Sequence, residues 1–187
     1  MGWFNKMIAV TLPYVPKPIV GFFSKQYIAG SKLEDAVRVV KMLNSNNIMA
    51  TIDVLGEEVS ERSHSLAAVE LYKDVLEAIK TENLDANISV KPTHMGLEID
   101  KEFCYENIMS LTQIAAENNN FVRIDIEDAT TTDDTLDMYL KIKEVVPNIG
   151  TALQSYLRRT IDDVNRLIPH KANLRLCKGI YNEKREI

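Results

Sequence analysis

The sequence contains few cysteines, no excess of basic residues and no long apolar run, and each of these absences excludes a class of protein. The two cysteines, Cys104 and Cys177, have no metal-ligand spacing and are too few for a disulfide framework, so they predict reduced thiols in a cytosolic protein. The formal net charge of −5 provides no basic field of the kind that attracts nucleic acid. The composition is typical of a soluble globular protein, with 45% hydrophobic and 26% charged side chains, and the length of 187 residues allows a sizeable core.

The amino-terminal segment is apolar but is interrupted by Pro13, Pro16 and Pro18. It therefore lacks the roughly 18 continuous apolar residues of a membrane-crossing helix, and it also lacks the basic start and the cleavage site of a signal peptide. We interpret residues 1–45 as an N-terminal helical arm that covers the body of the protein, with peripheral membrane contact as the alternative. Residues 46–187 then form the main domain.

Short strand-like runs alternate with longer segments of helical period along the main domain. The five runs are Met49–Leu55, Ile88–Thr93, Phe121–Glu127, Ile149–Gln154 and Leu174–Gly179. The first long segment between them has an apolar stripe that includes Leu66 and Leu71, behind a helix cap at Ser63 or Ser65. This alternation predicts an α/β fold with a parallel sheet and helical crossovers.

The polar side chains of the runs decide between two parallel architectures. An open doubly wound sheet is covered on both faces, so its strands are nearly continuous apolar runs. Here one face of the runs is apolar and the other carries six charged residues: Asp53, Lys91, Arg123, Asp125, Glu127 and Arg175. This pattern favours a (β/α) barrel whose inward-facing charges compensate each other near the strand ends, where barrel enzymes have their active sites. An internal ion-pair network without catalytic function is the alternative.

Six motifs occur in order along nearly the whole chain. They are YIAG (residues 27–30), TIDVLGE (51–57), SVKPTHMGL (89–97), VRIDIED (122–128), LQSYLRRTIDD (153–163) and NLRLCKGIYNE (173–183). Together they resemble the monofunctional bacterial proline dehydrogenases. The resemblance implies an FAD-dependent oxidoreductase of proline catabolism, which oxidises L-proline to Δ1-pyrroline-5-carboxylate within a distorted (β/α)8 barrel.

The resemblance implies catalytic and substrate-binding roles for four residues. Lys91 matches the lysine that meets the substrate carboxylate, and Tyr181 matches the tyrosine that shields the substrate pocket. Asp125 matches a catalytic aspartate, which we interpret as orienting the lysine and arginine cations. Arg175 matches the catalytic arginine beside flavin N5, where a fixed cation stabilises the negative charge of the reduced flavin.

The same resemblance implies a flavin-binding set, to which Arg175 also belongs. Ile126 is expected to contact the flavin through its main chain, and Gln154 is expected to bond the polar edge of the isoalloxazine. Lys178, Gly179 and Ile180 match the stretch that holds the ribityl and phosphate region. Where this sequence has Cys177 and Ile180, the family often has smaller or different apolar residues.

A quinone in the membrane is the electron acceptor that the resemblance implies. The expected location is therefore the cytoplasm, with peripheral contact at the inner face of the membrane. No metal and no nucleic acid are expected.

Five strands cannot close a barrel of eight, so the sequence predicts about the first five βα units of a larger domain. The family's Arg-Arg-x-x-Glu cluster, which clamps the proline carboxylate, has no match here, because Arg158 and Arg159 stand at the start of a predicted helix. We therefore expect this truncated chain to bind FAD weakly or not at all and to turn over no proline. Two alternatives stay open: an aldolase-like barrel with Lys91 as a Schiff-base lysine, and a non-catalytic half-barrel that needs a partner.

Overall fold

The structure, a computed structural model, describes residues 28–181, 183, 184 and 186. The chain divides between Val39 and Val40 into two units. The described part of the first unit contains the beginning of helix α1, Leu33–Asn44. Most of the predicted N-terminal arm, residues 1–45, lies outside the described residues and stays a prediction.

Strands and helices alternate along the second unit, as the sequence predicts. In chain order they are β1 (Ala50–Asp53), α2 (Arg62–Thr81), β2 (Ala86–Val90), α3 (Lys101–Glu117), β3 (Val122–Ile124), α4 (Thr132–Val145), β4 (Ile149–Gln154), α5 (Thr160–Leu167), a 3₁₀ turn (Ile168–His170) and β5 (Asn173–Cys177). The strands form one parallel sheet in the order β1-β2-β3-β4-β5. This sequential order is that of a (β/α) barrel, since a doubly wound sheet reverses its strand order at a switch point.

One face of the sheet forms the core of the second unit with the helices. The side chains of Ile88, Val90, Val122, Ile124 and Ile149 have no solvent exposure. Helices α2, α3 and α4 pack against β2, β3 and β4 respectively. Burying one such side chain stabilises the fold by about 1.5–3 kcal/mol, so this apolar face supplies much of the stability.

The other face carries the polar side chains, and strand register places them in rows across the sheet. Asp53, Ser89, Arg123, Gly150 and Asn173 pair in succession from β1 to β5. A Cβ on Gly150 would lie 2.6 Å from Arg123 Nη1, so the missing side chain makes room for the guanidinium. The predicted alternation of an apolar and a charged face is confirmed.

Four of the five strands end earlier than the sequence predicts, and β2 and β3 differ most, by three residues each. Strand β2 ends at Val90, before Lys91 and Pro92, because proline has no backbone N–H with which to continue a ladder. Strand β3 ends at Ile124, although Asp125 N still donates to Val90 O at 2.9 Å. Lys91 and Asp125 therefore lie just beyond the carboxyl ends of their strands.

Helix α2 differs from its predicted form in its start and in part of its stripe. It begins at Arg62 with Glu61 as N-cap and without a side-chain cap, so the predicted cap at Ser63 or Ser65 is wrong. Ser65 is instead buried within the first turns. Leu66 and Leu71 are about half exposed, and Tyr72 occupies the buried face in their place. None of the helices in the described part of the chain has the length and apolarity needed to cross a membrane.

Candidate active site

An open cavity of about 290 Å³ lies at the carboxyl ends of strands β2 to β5. Its lining residues are Glu57, Lys91, Asp125, Ile126, Ala152, Gln154, Arg175, Cys177, Gly179, Ile180 and Tyr181. The structure thus brings together eight of the nine residues that the sequence predicts for the site. The ninth, Lys178, is exposed and lies outside the lining.

Two ion pairs lie in the cavity wall. Lys91 Nζ lies 2.5 Å from Asp53 Oδ2, and the Arg175 guanidinium is bonded to Asp125. Asp125 also accepts a hydrogen bond from Ser89 Oγ at 2.6 Å. Of the two cations, Asp125 therefore pairs with Arg175, while Lys91 pairs with a separate carboxylate. This pairing differs from the expectation that Asp125 orients both cations, although the charge of Asp125 also raises the pKa of Lys91.

Lys91 stays charged in this setting. Its burial alone would lower the pKa of the ammonium, but the hydrogen bond and the charge of Asp53 outweigh burial and raise that pKa above its ordinary value. A fixed ammonium at the cavity wall is suited to a ligand that carries a carboxylate.

Gln154 and Arg175 each have a buried polar atom without a hydrogen-bond partner among the described residues. Gln154 is 3% exposed, and its Nε2 donates to Glu127 O at 2.5 Å. Its Oε1 has no partner within the described part of the chain, and neither has Arg175 Nε. Since buried polar atoms are nearly always bonded, the cavity wall offers one acceptor and one donor to a ligand.

Glu127 and Arg123, the remaining charged residues of the predicted lumen, support the wall instead of lining it. Glu127 accepts hydrogen bonds from Thr93 N at 2.8 Å and from Thr93 Oγ1 at 2.7 Å. Burial raises the pKa of this carboxyl. Arg123 donates to Thr151 O and to Asn173 Oδ1, both at 3.1 Å, and so ties β3 to β4 and β5.

Besides Ala152 in the lining, three further residues at or near the cavity received no role from the sequence. Glu57 follows β1, and a search for acids just beyond strand ends could have found it. Cys177 lies two residues after Arg175, on the same face of β5 by the period of two. Tyr72 could not be found in this way, because it belongs to helix α2 and not to a strand end. Its hydroxyl reaches the cavity wall from the helix and lies 2.9 Å from Asp53 Oδ1.

The sequence model of a protein family described as proline dehydrogenase matches residues 36–185. The chain belongs to the proline dehydrogenase family. The resemblance drawn from the six motifs is thereby confirmed.

Curated proline dehydrogenases are similar to this chain over most of its length. Proline dehydrogenase 1 of Bacillus subtilis subsp. natto is 34% identical over 160 residues, which are 86% of this chain and 53% of that protein. Proline dehydrogenase of Deinococcus radiodurans is 27% identical over 165 residues, with the same shares covered. The chain spans about half the length of the curated relatives it matches.

Solved structures of proline utilization A (PutA) share the fold. The protein from Bdellovibrio bacteriovorus, inactivated by N-propargylglycine, superposes with a TM-score of 0.73 at 20% identity, over 81% of this chain and 20% of that one. A second PutA structure, with proline bound in remote sites, has a TM-score of 0.63 at 21% identity, over 81% of this chain and 18% of that one. The α/β fold of barrel type, of which this chain has five strands in the described part, is confirmed.

Proposed function

We propose that this chain provides the FAD- and proline-binding wall of a proline dehydrogenase, which oxidises L-proline to Δ1-pyrroline-5-carboxylate. One observation carries the proposal. Eight residues with roles in the family resemblance, which lie on four separate strand ends, converge on one cavity of about 290 Å³. Family membership supports the reaction, since the relatives at 34% and 33% identity are named proline dehydrogenase 1.

The polar atoms of the cavity suit a flavin. The edge of an isoalloxazine alternates acceptors with an N–H donor, and the unpartnered Gln154 Oε1 is an acceptor for such a donor. Gly179, with φ +105, brings bare backbone to the cavity, where a side chain would be strained. The group would be held by Gln154, Arg175 and Ile126, together with Gly179 and Ile180 of the cavity lining. Bound FAD would supply the acceptor for a hydride from the proline carbon that bears the amine.

The chain's own charged residues bind and orient in this proposal. Lys91 binds the proline carboxylate through its ammonium, which Asp53 keeps charged. Asp125 holds Arg175 in place, and the Arg175 cation favours negative charge that develops beside it. Tyr181 covers the substrate, and burial raises the pKa of its phenol, which therefore stays neutral near pH 7.

The geometry disfavours the Schiff-base alternative. A lysine that attacks a carbonyl needs a lowered pKa so that the free amine is present. The pKa of Lys91 is raised and its ammonium is held by Asp53 at 2.5 Å. Borohydride treatment with a carbonyl substrate should therefore leave no adduct on Lys91.

The test of the proposal compares two samples, because the chain spans about half the length of its relatives. One is the 187-residue chain alone, and the other is this chain co-expressed with the part of Bacillus subtilis proline dehydrogenase 1 that the match leaves uncovered. Flavin content is measured by absorbance, and activity by proline-dependent reduction of a dye. We expect weak or no FAD binding by the chain alone, and bound flavin with proline oxidation in the complemented sample.

Lys91→Met and the matched control Lys101→Met make the test specific to the site. Lys101 is an exposed lysine of α3 that pairs with Asp134 at 2.6 Å, on the outside of the domain. Lys91→Met should lower proline turnover at least tenfold, about the effect of losing one charged hydrogen bond, while flavin stays bound. Lys101→Met should change neither. A complemented sample that binds flavin but oxidises no proline would contradict the proposal.

We also propose that a membrane quinone accepts the electrons, and that the protein works in the cytoplasm with contact at the inner face of the membrane. The support is the family resemblance. In the complemented sample, a soluble quinone analogue should replace the dye, and the rate should still depend on proline.

A further inference from the structure

Residues 179–181, here called the wall segment, line the cavity immediately after β5 and contact the turn that follows β4. Beyond the end of β4, Ser155 N donates to Cys177 O at 2.7 Å and Tyr156 N donates to Lys178 O at 3.2 Å. The hydroxyl of Tyr156 then donates to Tyr181 O at 2.8 Å. Tyr156 thus forms hydrogen bonds on both sides of Gly179: with Lys178, just before the wall segment, and with Tyr181, its last residue.

The ring of Tyr156 also contacts the wall segment directly. A Cβ on Gly179 would lie 1.8 Å from Tyr156 Cε1 and 3.0 Å from Gln154 Oε1. The tyrosine ring therefore occupies the space that a Gly179 side chain would take, and the unpartnered amide oxygen of Gln154 lies near the same position. The φ of +105 at Gly179 is open to glycine and strained for other residues.

The other side of this region has a separate attachment. Glu183 Oε1 accepts a hydrogen bond from Ala129 N at 2.7 Å, which ties the chain beyond the wall segment to the loop after β3. Within the described part of the chain, the hydrogen bond that reaches the wall segment itself comes from Tyr156. Since Tyr156 is itself 42% exposed, its contribution lies in these contacts more than in its own burial.

We propose that Tyr156 is a positioning residue, whose ring and hydroxyl hold the wall segment so that Gly179 and Tyr181 keep their places beside Gln154. Tyr156 is not among the residues that line the cavity. It acts through the wall segment, which covers flavin and proline under the proposed function. The inference rests on that proposed function only for the identity of these two ligands.

Trypsin cleavage after Lys178 tests the proposal without any ligand. Lys178 is exposed and directly precedes the wall segment, so its cleavage requires the segment to open. Tyr156→Phe keeps the ring and loses the hydroxyl, and it should accelerate this cleavage about two- to tenfold, the effect of one net hydrogen bond. Tyr156→Ala loses both contacts and should accelerate cleavage further.

Cleavage after Lys171 in the same digests is the internal reference. Lys171 is exposed and lies before β5, away from the Tyr156 contacts. A merely structural role for Tyr156 would accelerate cleavage at both lysines equally, and that outcome would overturn the proposal. Tyr105→Phe on α3 is the matched control and should change neither rate.

Steady-state kinetics of the complemented sample give the second readout. Tyr156→Phe should retain flavin and raise the KM for proline about two- to tenfold, with kcat unchanged, because the cover over the substrate loosens. If wild type and variants are cleaved equally after Lys178, the positioning role is excluded whatever the flavin result. If cleavage responds as expected but wild type binds no flavin, the positioning role stands and the proposed function fails.

Discussion

Tyr72 supports the first ion pair of the cavity from the helical layer. Its ring is fully buried, and its hydroxyl accepts a hydrogen bond from Val54 N at 3.2 Å and lies 2.7 Å from Ser89 O. The same oxygen contacts Asp53, the partner of Lys91. Burial, together with the Asp53 carboxylate, raises the pKa of this phenol, so it remains a hydrogen-bond donor.

Tyr72→Phe should lower the free energy of unfolding by about 1–2 kcal/mol, because Val54 N and Asp53 lose a buried partner. Urea unfolding followed by circular dichroism measures this loss. Tyr105→Phe, in which the lost hydroxyl belongs to a partly exposed residue of α3, serves as the control. Equal stability of the Tyr72 variant and the wild type would show that water replaces the hydroxyl at no cost.

His94 lies within reach of the charges of the same ion pair, and its burial makes stability depend on pH. It is 7% exposed, and a Cβ on Gly56 would lie 2.3 Å from its ring. Burial lowers the pKa of the imidazole below 6.5. The folded state therefore favours the neutral ring, so this contribution to stability is complete above the unfolded pKa and is lost as pH falls through the folded pKa.

His94→Gln should remove this acid-side loss. Between about pH 8 and about pH 5, the wild type should lose more unfolding free energy than the variant, as measured by urea titrations at each pH. His64→Gln, at an exposed position of α2, should follow the wild type. A His94 variant whose pH profile overlays that of the wild type would rule out the buried imidazole as the cause.

At the scale of secondary-structure elements, the start of helix α4 depends on a single carboxylate. Asp128 Oδ1 accepts hydrogen bonds from Thr130 N at 2.9 Å and from Thr131 N at 3.2 Å. The N-cap residue, Thr131, makes no side-chain cap of its own. A turn at Asp128, three residues before the N-cap, therefore takes the place of a side-chain cap at the start of α4.

Asp128→Ala should destabilise the protein by about 1 kcal/mol, as for the loss of a helix cap. Asp128→Asn should retain most of the stability, because its amide oxygen can accept the same hydrogen bonds. Thermal unfolding of the three proteins measures the difference. Equal loss in both variants would instead implicate the charge of Asp128.

At the scale of the whole molecule, β5 presents an open edge and an uncovered apolar face within the described part of the chain. Strand β4 is its one neighbour there, and Leu176 is 63% exposed. An unpaired edge next to apolar side chains is a template for association with another chain. This feature fits the half-barrel alternative, in which a partner supplies further strands.

Leu176→Lys should reduce self-association of the chain. Light scattering over a range of protein concentrations should show a mass that rises for the wild type and rises less for the variant. Leu71→Lys changes an equally apolar, half-exposed residue on helix α2 and should leave association unchanged. A wild type that stays monomeric at every concentration would contradict the expectation.

Local periodicity was enough to predict the alternating elements and the candidate site. Strand β4 has its predicted bounds, Ile149–Gln154, because an apolar run between turn-forming residues specifies a buried strand by itself. Lys91, Asp125 and Arg175 reach one cavity because a period of two fixes which face each side chain takes, and parallel strands bring their carboxyl ends to one edge.

Tertiary structure alone decided which groups pair and which surfaces remain open. Lys91 pairs with Asp53, 38 residues away, and Arg175 with Asp125, 50 residues away, through contacts that depend on register between strands. Tyr72 contacts Asp53 of the first pair from a helix. Leu66, Leu71 and Leu176 remain about half exposed or more, because no described residue covers them. A sequence pattern specifies the direction of a side chain relative to its own element, whereas its partner depends on how distant elements pack.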